Sequence, residues 1–454
     1  MPLKFSFRDM KLGAIYNQLA PFAKDGSEAE SRLKDMLDLQ IVTLGQGGGR
    51  MGAELARFGF DSWMVNSASS DWSEQNWIDN KRKILLTDPD RGKLEGTAKN
   101  AGIGHMIAQK NVQRFKQLAL DTQEADFVIV KVALGGGTGN GSLLTALEWI
   151  SKVRDMVGMR TERGNATIMV VASIPMRDEA NPEIWRNTLS GIKVLQDFID
   201  NKKIGTVLPV DNEFMRNFYE REQPLVHQQR TLSALDYSNV IVARTLFEAL
   251  CIPLLGGQVA MDYTELVEIF STPGWMTINR AEIQNQDEFN VPVTIDRLFK
   301  QNEVFASLDV TKSLAGGIAV ITGPRRKLPA ASIDSIKPIT NDLLGRPPVL
   351  HTAVLESSAI NDTTSYVLGM SVTPSLPETL LDTLMMRYQQ EKERREQLEA
   401  AARQSKSKLS GFDDVFSQTA ATSQKKRITL DELEIDDSQP IPKKRFTIED
   451  LDKL

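Results

Sequence analysis

Five glycines within eight residues, Gly135-Gly136-Gly137-Thr138-Gly139-Asn140-Gly141-Ser142, separate two apolar stretches. The stretch before them, Phe127-Val128-Ile129-Val130-Lys131-Val132-Ala133-Leu134, is rich in β-branched residues and reads as a strand. The stretch after them, Leu143-Leu144-Thr145-Ala146-Leu147-Glu148-Trp149-Ile150, reads as the opening of a helix. Strand, glycine loop and helix together form an arrangement that can hold a phosphate. Without Cβ atoms the backbone N–H groups approach an anion closely, and the helix N-terminus adds positive partial charge. Thr138 and Ser142 are candidate hydroxyl donors. Glycine runs also occur in flexible linkers, but a linker does not fit between a buried-looking strand and an apolar helix.

The elements that must position this loop repeat the same grammar. Leu39–Leu44 is a short strand running into Gly45-Gln46-Gly47-Gly48-Gly49-Arg50-Met51-Gly52, followed by a helix carrying Leu55 and Phe58. This resembles a Rossmann-type first turn, where glycines let a pyrophosphate reach the backbone. Met64-Val65-Asn66-Ser67 reads as a second strand ending in a polar turn. Ile84-Leu85-Leu86 is a third, before the glycine-bearing loop Gly96–Gly104 and one helix with Ile107, Val112, Phe115 and Leu118. Strands are also expected at 166–172, running out into Ser173-Ile174-Pro175, and at 204–210, closing on Asp211-Asn212-Glu213. Alternating strands and helices imply an α/β fold, a Rossmann-like parallel sheet with helices on both faces and ligand groups gathered at the strand carboxyl ends. Each glycine loop falls at such an end.

Residues 229–250 read as one long helix with Leu232, Leu235, Val240, Ala243, Leu246 and Leu250 mostly at helical spacing. A smaller α/β second domain follows, its clearest strands at 315–323 and 365–372. A charged helix is expected over 377–403. At the other end, Ser27-Glu28-Ala29-Glu30 is a capping-box pattern opening a helical extension over 1–39. Beyond Ser405 periodicity is lost, and disorder is expected. Within that tail Lys425-Lys426-Arg427-Ile428-Thr429-Leu430-Asp431-Glu432-Leu433 recurs as Lys443-Lys444-Arg445-Phe446-Thr447-Ile448-Glu449-Asp450-Leu451. A duplicated docking motif gains from effective concentration.

Composition closes off other classes. With 41% apolar and 25% charged residues and a net charge of −6, the 454-residue chain reads as an ordinary globular protein rather than a nucleic-acid coat or membrane-surface binder. One cysteine, Cys251, fits a reducing cytoplasm and excludes an intramolecular disulfide. His105, His227 and His351 are scattered, so no zinc site is expected. No apolar run reaches membrane-spanning length and no signal peptide follows Met1, so a cytoplasmic location without membrane insertion is expected.

Gly135–Ser142 resembles the glycine-rich signature of the tubulin/FtsZ superfamily of GTPases, over roughly residues 40–374. The resemblance implies a site for GTP and GDP built from Gly45, Gln46, Gly47, Gly48 and Arg50 in the first loop and Asn66 and Ser67 in the second. Gly102 and Gly104 would come from the third, and Gly135, Gly136, Gly137, Thr138, Gly139 and Asn140 from the signature itself. It nominates Glu183 for the ribose and Asn212 and Asn239 for guanine, with Tyr237 or Leu235 beside the base. Mg²⁺ would bridge the β- and γ-phosphates, with no metal ligand nominated in the protein. Met261-Asp262-Tyr263-Thr264-Glu265 resembles the family's catalytic loop, although Ala260 stands where an asparagine is usual. Acids are favoured in a helix's first turn in any case, but the spacing and loop context of Asp262 and Glu265 point to catalysis.

A helix of about 20 residues at ~1.5 Å each separates base site and acids by roughly 30 Å. The acids would then act on a neighbouring subunit's nucleotide, and such a head-to-tail contact builds a filament. The extension and charged C-terminal helix look most like the TubZ branch, plasmid- and phage-encoded filaments that segregate DNA through an adaptor. A phage spindle or division ring is the alternative use. The expected organisation is an N-terminal extension over 1–39, a GTP-binding domain over 40–228 and a central helix with catalytic loop over 229–271. A second domain over 272–374, a C-terminal helix over 375–404 and a tail over 405–454 complete it. Two other classes compete: a dinucleotide oxidoreductase, which leaves the Gly135 loop and the distant acids without a role, and a non-polymerising interaction protein acting through its tail.

Overall fold

The β-branched runs form the centre of one sheet. In the computed structural model, which describes residues 37–57, 60–72, 78–92, 94–221, 226–227, 230–231, 233–283, 290–301, 305–323, 325, 328–357 and 365–410, β1 (Leu39–Leu44), β2 (Asp61–Asn66), β3 (Lys83–Leu85), β4 (Phe127–Ala133), β5 (Ile168–Ile174) and β6 (Thr206–Asp211) pair in parallel. Their order is β3-β2-β1-β4-β5-β6. The connecting helices are α1 (Gly45–Arg57), α2 (Ala101–Lys110), α3 (Val112–Asp121), α4 (Gly137–Met156), α5 (Pro182–Asp200), α6 (Asn212–Arg221) and α7 (Ala234–Leu250).

Strand alternation sorts the helices onto two faces. Phe127 and Ile129 of β4 point into a core with Met51 and Leu55 of α1, Met215 of α6 and most of the apolar face of α7. Val128, Val130 and Val132 point the other way, onto Leu143, Leu147 and Ile150 of α4, Phe115 of α3 and Trp185 and Leu195 of α5. Full burial of each such side chain stabilises by about 1.5–3 kcal/mol. The buried Arg154 of α4 donates to the carbonyls of Thr122, Ala125 and Asp126, pinning α4 to the turn that feeds β4.

A two-residue hairpin, β7 (Val226–His227) and β8 (Arg230–Thr231), precedes α7. The second half contains β9 (Gly257–Val259), α8 (Tyr263–Ser271), β10 (Gly274–Ile283), α9 (Val291–Gln301), β11 (Ala315–Thr322), α10 (Ala330–Leu343), β12 (Val349–Glu356), β13 (Ser365–Thr373) and α11 (Glu378–Ser410). Its strands continue the sheet as β6-β10-β13-β11-β12-β9. The join is the parallel pairing of Gly274 with Thr206 and Trp275 with Val207. Beyond it β13 runs antiparallel to both β10 and β11, so this half is mixed. The domain boundaries read from the sequence stay our proposal.

Element ends moved by a few residues in several places, the sixth strand for instance starting at Thr206 rather than 204, and four differences are informative. The single helix through 107–118 is two, because Asn111 turns its side-chain amide onto the carbonyls of Thr87 and Ile107 and breaks the ladder. The fifth strand begins at Ile168 rather than Ala166, since Ala166 bridges Arg160 in a small hairpin. The central helix begins at Ala234, not 229, where Ser233 caps the amide of Asp236 at 3.1 Å. The C-terminal helix runs on to Ser410; its Leu384 is buried and Leu380, Leu381 and Tyr388 pack against the α4–α5 core. From Arg394 the chain is helical to Ser410, with an Arg395–Glu399 ion pair at 3.0 Å. The extension up to residue 36 and the duplicated tail motif lie outside the described residues. No helix among the described residues is long and apolar enough to cross a membrane.

Candidate nucleotide site

The carboxyl ends of the parallel strands surround a cavity of about 460 Å³. Its floor is the first turns of two helices. The helix that leaves β1 starts immediately, at Gly45, whose φ of +69° lets the chain turn without a spacer. The one that leaves β4 starts at Gly137, after a two-residue turn with Gly136 as N-cap. Most of the glycines read as loop residues therefore sit inside helices. Neither first turn carries an acid, so the free N–H groups and the helix dipoles present positive potential to the cavity. The two turns touch: a Cβ on Gly45 would lie 2.7 Å from the amide nitrogen of Gly139, and one on Gly139 would lie 2.6 Å from the carbonyl of Leu44.

Among the residues nominated from the sequence, Gly45, Gln46, Gly47, Arg50, Asn66, Gly135, Gly136, Gly137, Thr138, Gly139, Asn212 and Asn239 line this cavity. Leu235 does too, whereas Tyr237 is buried in the core. Six others do not line it. Gly48 faces the sheet, where a Cβ would meet the carbonyl of Lys131 at 2.4 Å. Ser67 is buried beneath the wall, its hydroxyl 2.6 Å from that of Thr138. Gly102 lies in the first turn of α2, and a Cβ on Gly104 would meet the carbonyl of Gly137 at 2.3 Å, so Gly104 serves the packing of α2 on α4. Asn140 donates to the carbonyl of Asn187 at 2.6 Å, and Glu183 pairs with Arg186 on α5.

The structure adds residues that the sequence reading passed over. Glu179 lines the cavity, its segment held by the indole of the buried Trp185, which donates to the Glu179 carbonyl at 2.9 Å. Asp71 lines the opposite wall and accepts hydrogen bonds from Asn66 at 2.7 Å and Gln46 at 3.1 Å. Thr97, Ala98 and Lys99 form a third wall, with Ala98 and Lys99 in the left-handed region at φ 48° and 67°. Side chains rarely adopt that conformation, and it concentrates at functional sites. Asn212 sits between two anchored acids. Arg177 binds Asp211 at 2.6 Å, while the Arg177 amide and Arg216 hold Glu213. Burial by itself raises the Glu213 carboxyl, but these partners outweigh it and keep it below the usual range.

Asp262 and Glu265 are elsewhere. Both follow the far end of α7, whose 17 residues span roughly 25 Å, and neither lines the cavity. They form a reciprocal capping box on α8: Asp262 accepts from the Glu265 amide at 2.8 Å, and Glu265 accepts from the Asp262 amide at 3.1 Å. A second oxygen of Glu265 lies 3.0 Å from Nδ1 of His351.

A parallel nucleotide-type sheet continued, past a central helix, into a mixed second half is the tubulin/FtsZ fold. An FtsZ dimer from M. jannaschii superposes with a TM-score of 0.55 at 17% identity, covering 77% of this chain and 92% of that one. Within that fold the chain is similar over most of its length to the tubulin-like protein TubZ of Bacillus cereus, at 24% identity over 458 residues, 92% of this chain and 98% of the relative. A GTPγS-form protofilament of Bacillus thuringiensis serovar israelensis TubZ superposes with a TM-score of 0.65 at 16% identity, covering 84% and 99%. No protein-family model matches the chain.

Proposed function

We propose that the protein is a GTPase that assembles head to tail, each subunit's Asp262 and Glu265 completing the nucleotide site of the next. The observation that carries this reading is the separation itself. The phosphate-type cavity lies at one end of α7 and the paired acids follow the other, so Asp262 and Glu265 do not reach the cavity of their own subunit. The similarity to TubZ, and to a TubZ solved as a GTPγS-form protofilament, supports the same reading.

In this mechanism the first-turn N–H groups of α1 and α4 take the phosphates, and Thr138, held by Ser67, donates a hydroxyl. The carboxamides of Asn212 and Asn239 face the base, and Glu179 faces the sugar. Carboxylates of the neighbouring subunit orient and polarise the attacking water, a role that positioning and electrostatics dominate in phosphoryl transfer. Mg²⁺ fits the residues present. Among the described residues no cluster of three acids, histidines or cysteines holds a metal alone, and Mg²⁺ takes one or two carboxylates beside phosphate oxygens and water. Asp71, oriented by Asn66 and Gln46, is the carboxylate in reach. Bound there, the ion would neutralise phosphate charge.

The test is GTP turnover against protein concentration. Specific activity should be near zero below a threshold concentration and rise steeply above it, together with pelletable polymer. Turnover strictly proportional to protein from the lowest dose would sink the shared site. Tight NAD binding without GTP binding would instead mark an oxidoreductase.

As the resemblance to TubZ implies, we extend the proposal to positioning of plasmid or phage DNA in the cytoplasm, with an adaptor recruited by residues 405–454. The only cysteine, Cys251, is buried and free, in keeping with a reducing compartment. A chain truncated after residue 404 should keep turnover within about twofold while losing capture of the adaptor-DNA complex. A large loss of turnover would assign the tail to the assembly contact instead.

A further inference from the structure

Glu265 is held by more than its own helix. α8 packs on β11 at Gly317, where an added Cβ would lie 2.7 Å from Ile269. Gly317 pairs with His351 on the neighbouring strand β12. That close seating brings the two acids of α8 onto one imidazole: Nδ1 of His351 lies 3.0 Å from Glu265 and Nε2 lies 2.9 Å from Glu268. Glu268 is paired in turn with Arg163. The acids sit on opposite ring nitrogens and so do not converge as metal ligands. A carboxylate only accepts, so the contact to Glu265 draws on the hydrogen at Nδ1.

We propose that His351 is the positioning residue for the hydrolytic carboxylate, fixing Glu265 so that it faces the neighbouring subunit's nucleotide already oriented. This rests on the shared-site reading above. In the free chain one Glu265 oxygen is tied to the Asp262 amide and the other to His351, although the side chain is 39% exposed. An exposed glutamate with one tie keeps rotamer freedom that must be lost before it can act. His351 makes that loss beforehand, which corresponds to roughly tenfold in rate.

The experiment is a double-mutant cycle on full-length protein, reading kcat at saturating GTP and polymer, together with nucleotide affinity below the assembly threshold. His351→Leu is expected to lower kcat about tenfold and leave affinity and pelleting within twofold. His351→Gln, which keeps an N–H donor, should recover to within about threefold of the parent. In a Glu265→Gln background His351→Leu should have no further effect. A full additive loss in that background, or equal losses for Leu and Gln, makes the role merely structural and overturns the proposal. If His351→Leu fails to fold, His351→Asn, whose shorter amide does not span both acids, replaces it with the same expectation. A Glu265→Gln protein as active as the parent overturns the shared site and this inference with it. Loss in Glu265→Gln but none in His351→Leu overturns the positioning role alone.

Discussion

Replacing Glu265 by alanine is expected to lower GTP turnover roughly 100- to 10,000-fold, the range that a positioned acid–base group supplies. Nucleotide affinity should stay within about twofold and filaments should still pellet. The asymmetry follows from geometry: Glu265 lies beyond the far end of α7 and does not line its own subunit's cavity. One complication has to be separated. Glu265 is also the N3 half of the α8 capping box, so alanine removes a helix contact along with a carboxylate. Glutamine resolves this, because its amide oxygen still caps the Asp262 amide but carries no charge to polarise water. Turnover should therefore fall in both variants, and thermal stability should fall more in the alanine one. A Glu265→Gln protein with parental turnover would show that the side chain serves α8 only. Loss of monomer nucleotide affinity in either would mean that the acid reaches its own site.

The same geometry explains what was legible in the sequence. Gly135–Gly139 and Gly45–Gly47 stand out in the sequence because a backbone suited to approach an anion leaves a visible deficit of side chains, and they line the cavity. Which glycine faces the cavity is not legible. Gly47 and Gly48 are adjacent, yet successive helix positions point about 100° apart, so one lines the cavity and the other presses on the Lys131 carbonyl. Gly104 belongs to the same class: it looks like a phosphate glycine and works as a helix-packing glycine against Gly137. Asn212 is legible through the family resemblance of its segment, whereas Glu179 is not, because its approach depends on an indole six positions later in the chain. His351 shows the limit most clearly. In the sequence it is one of three scattered histidines, since nothing local links it to Glu265, 86 positions away. Only the register of β11 on β12 brings them together.

Replacing Lys131 by methionine is expected to stabilise the fold by about 2–4 kcal/mol at pH 7, with a gain that shrinks as pH rises. Lys131 lies on the central strand β4 beneath α1, wholly buried, its ammonium 3.4 Å from the carbonyl of Met51. Burial pushes the amine down from 10.5 to about 7, and the half-buried Glu54 opposes this only in part. The sign follows from proton counting. Between pH 7 and 10.5 the unfolded chain holds the lysine proton more tightly than the folded one, so unfolding takes up protons and folded stability rises with pH across that window. The penalty is complete below pH 7 and gone above 10.5. Methionine keeps the aliphatic stem and has no charge to bury, while Glu54 can turn to solvent. All other groups titrate alike in the two proteins, so the difference in denaturant stability isolates Lys131. It should fall by at least half between pH 7 and about 9.5. A constant difference would attribute the effect to packing, and a methionine variant less stable than its parent at pH 7 would mean that the lysine's contacts to α1 outweigh the cost of burying its charge.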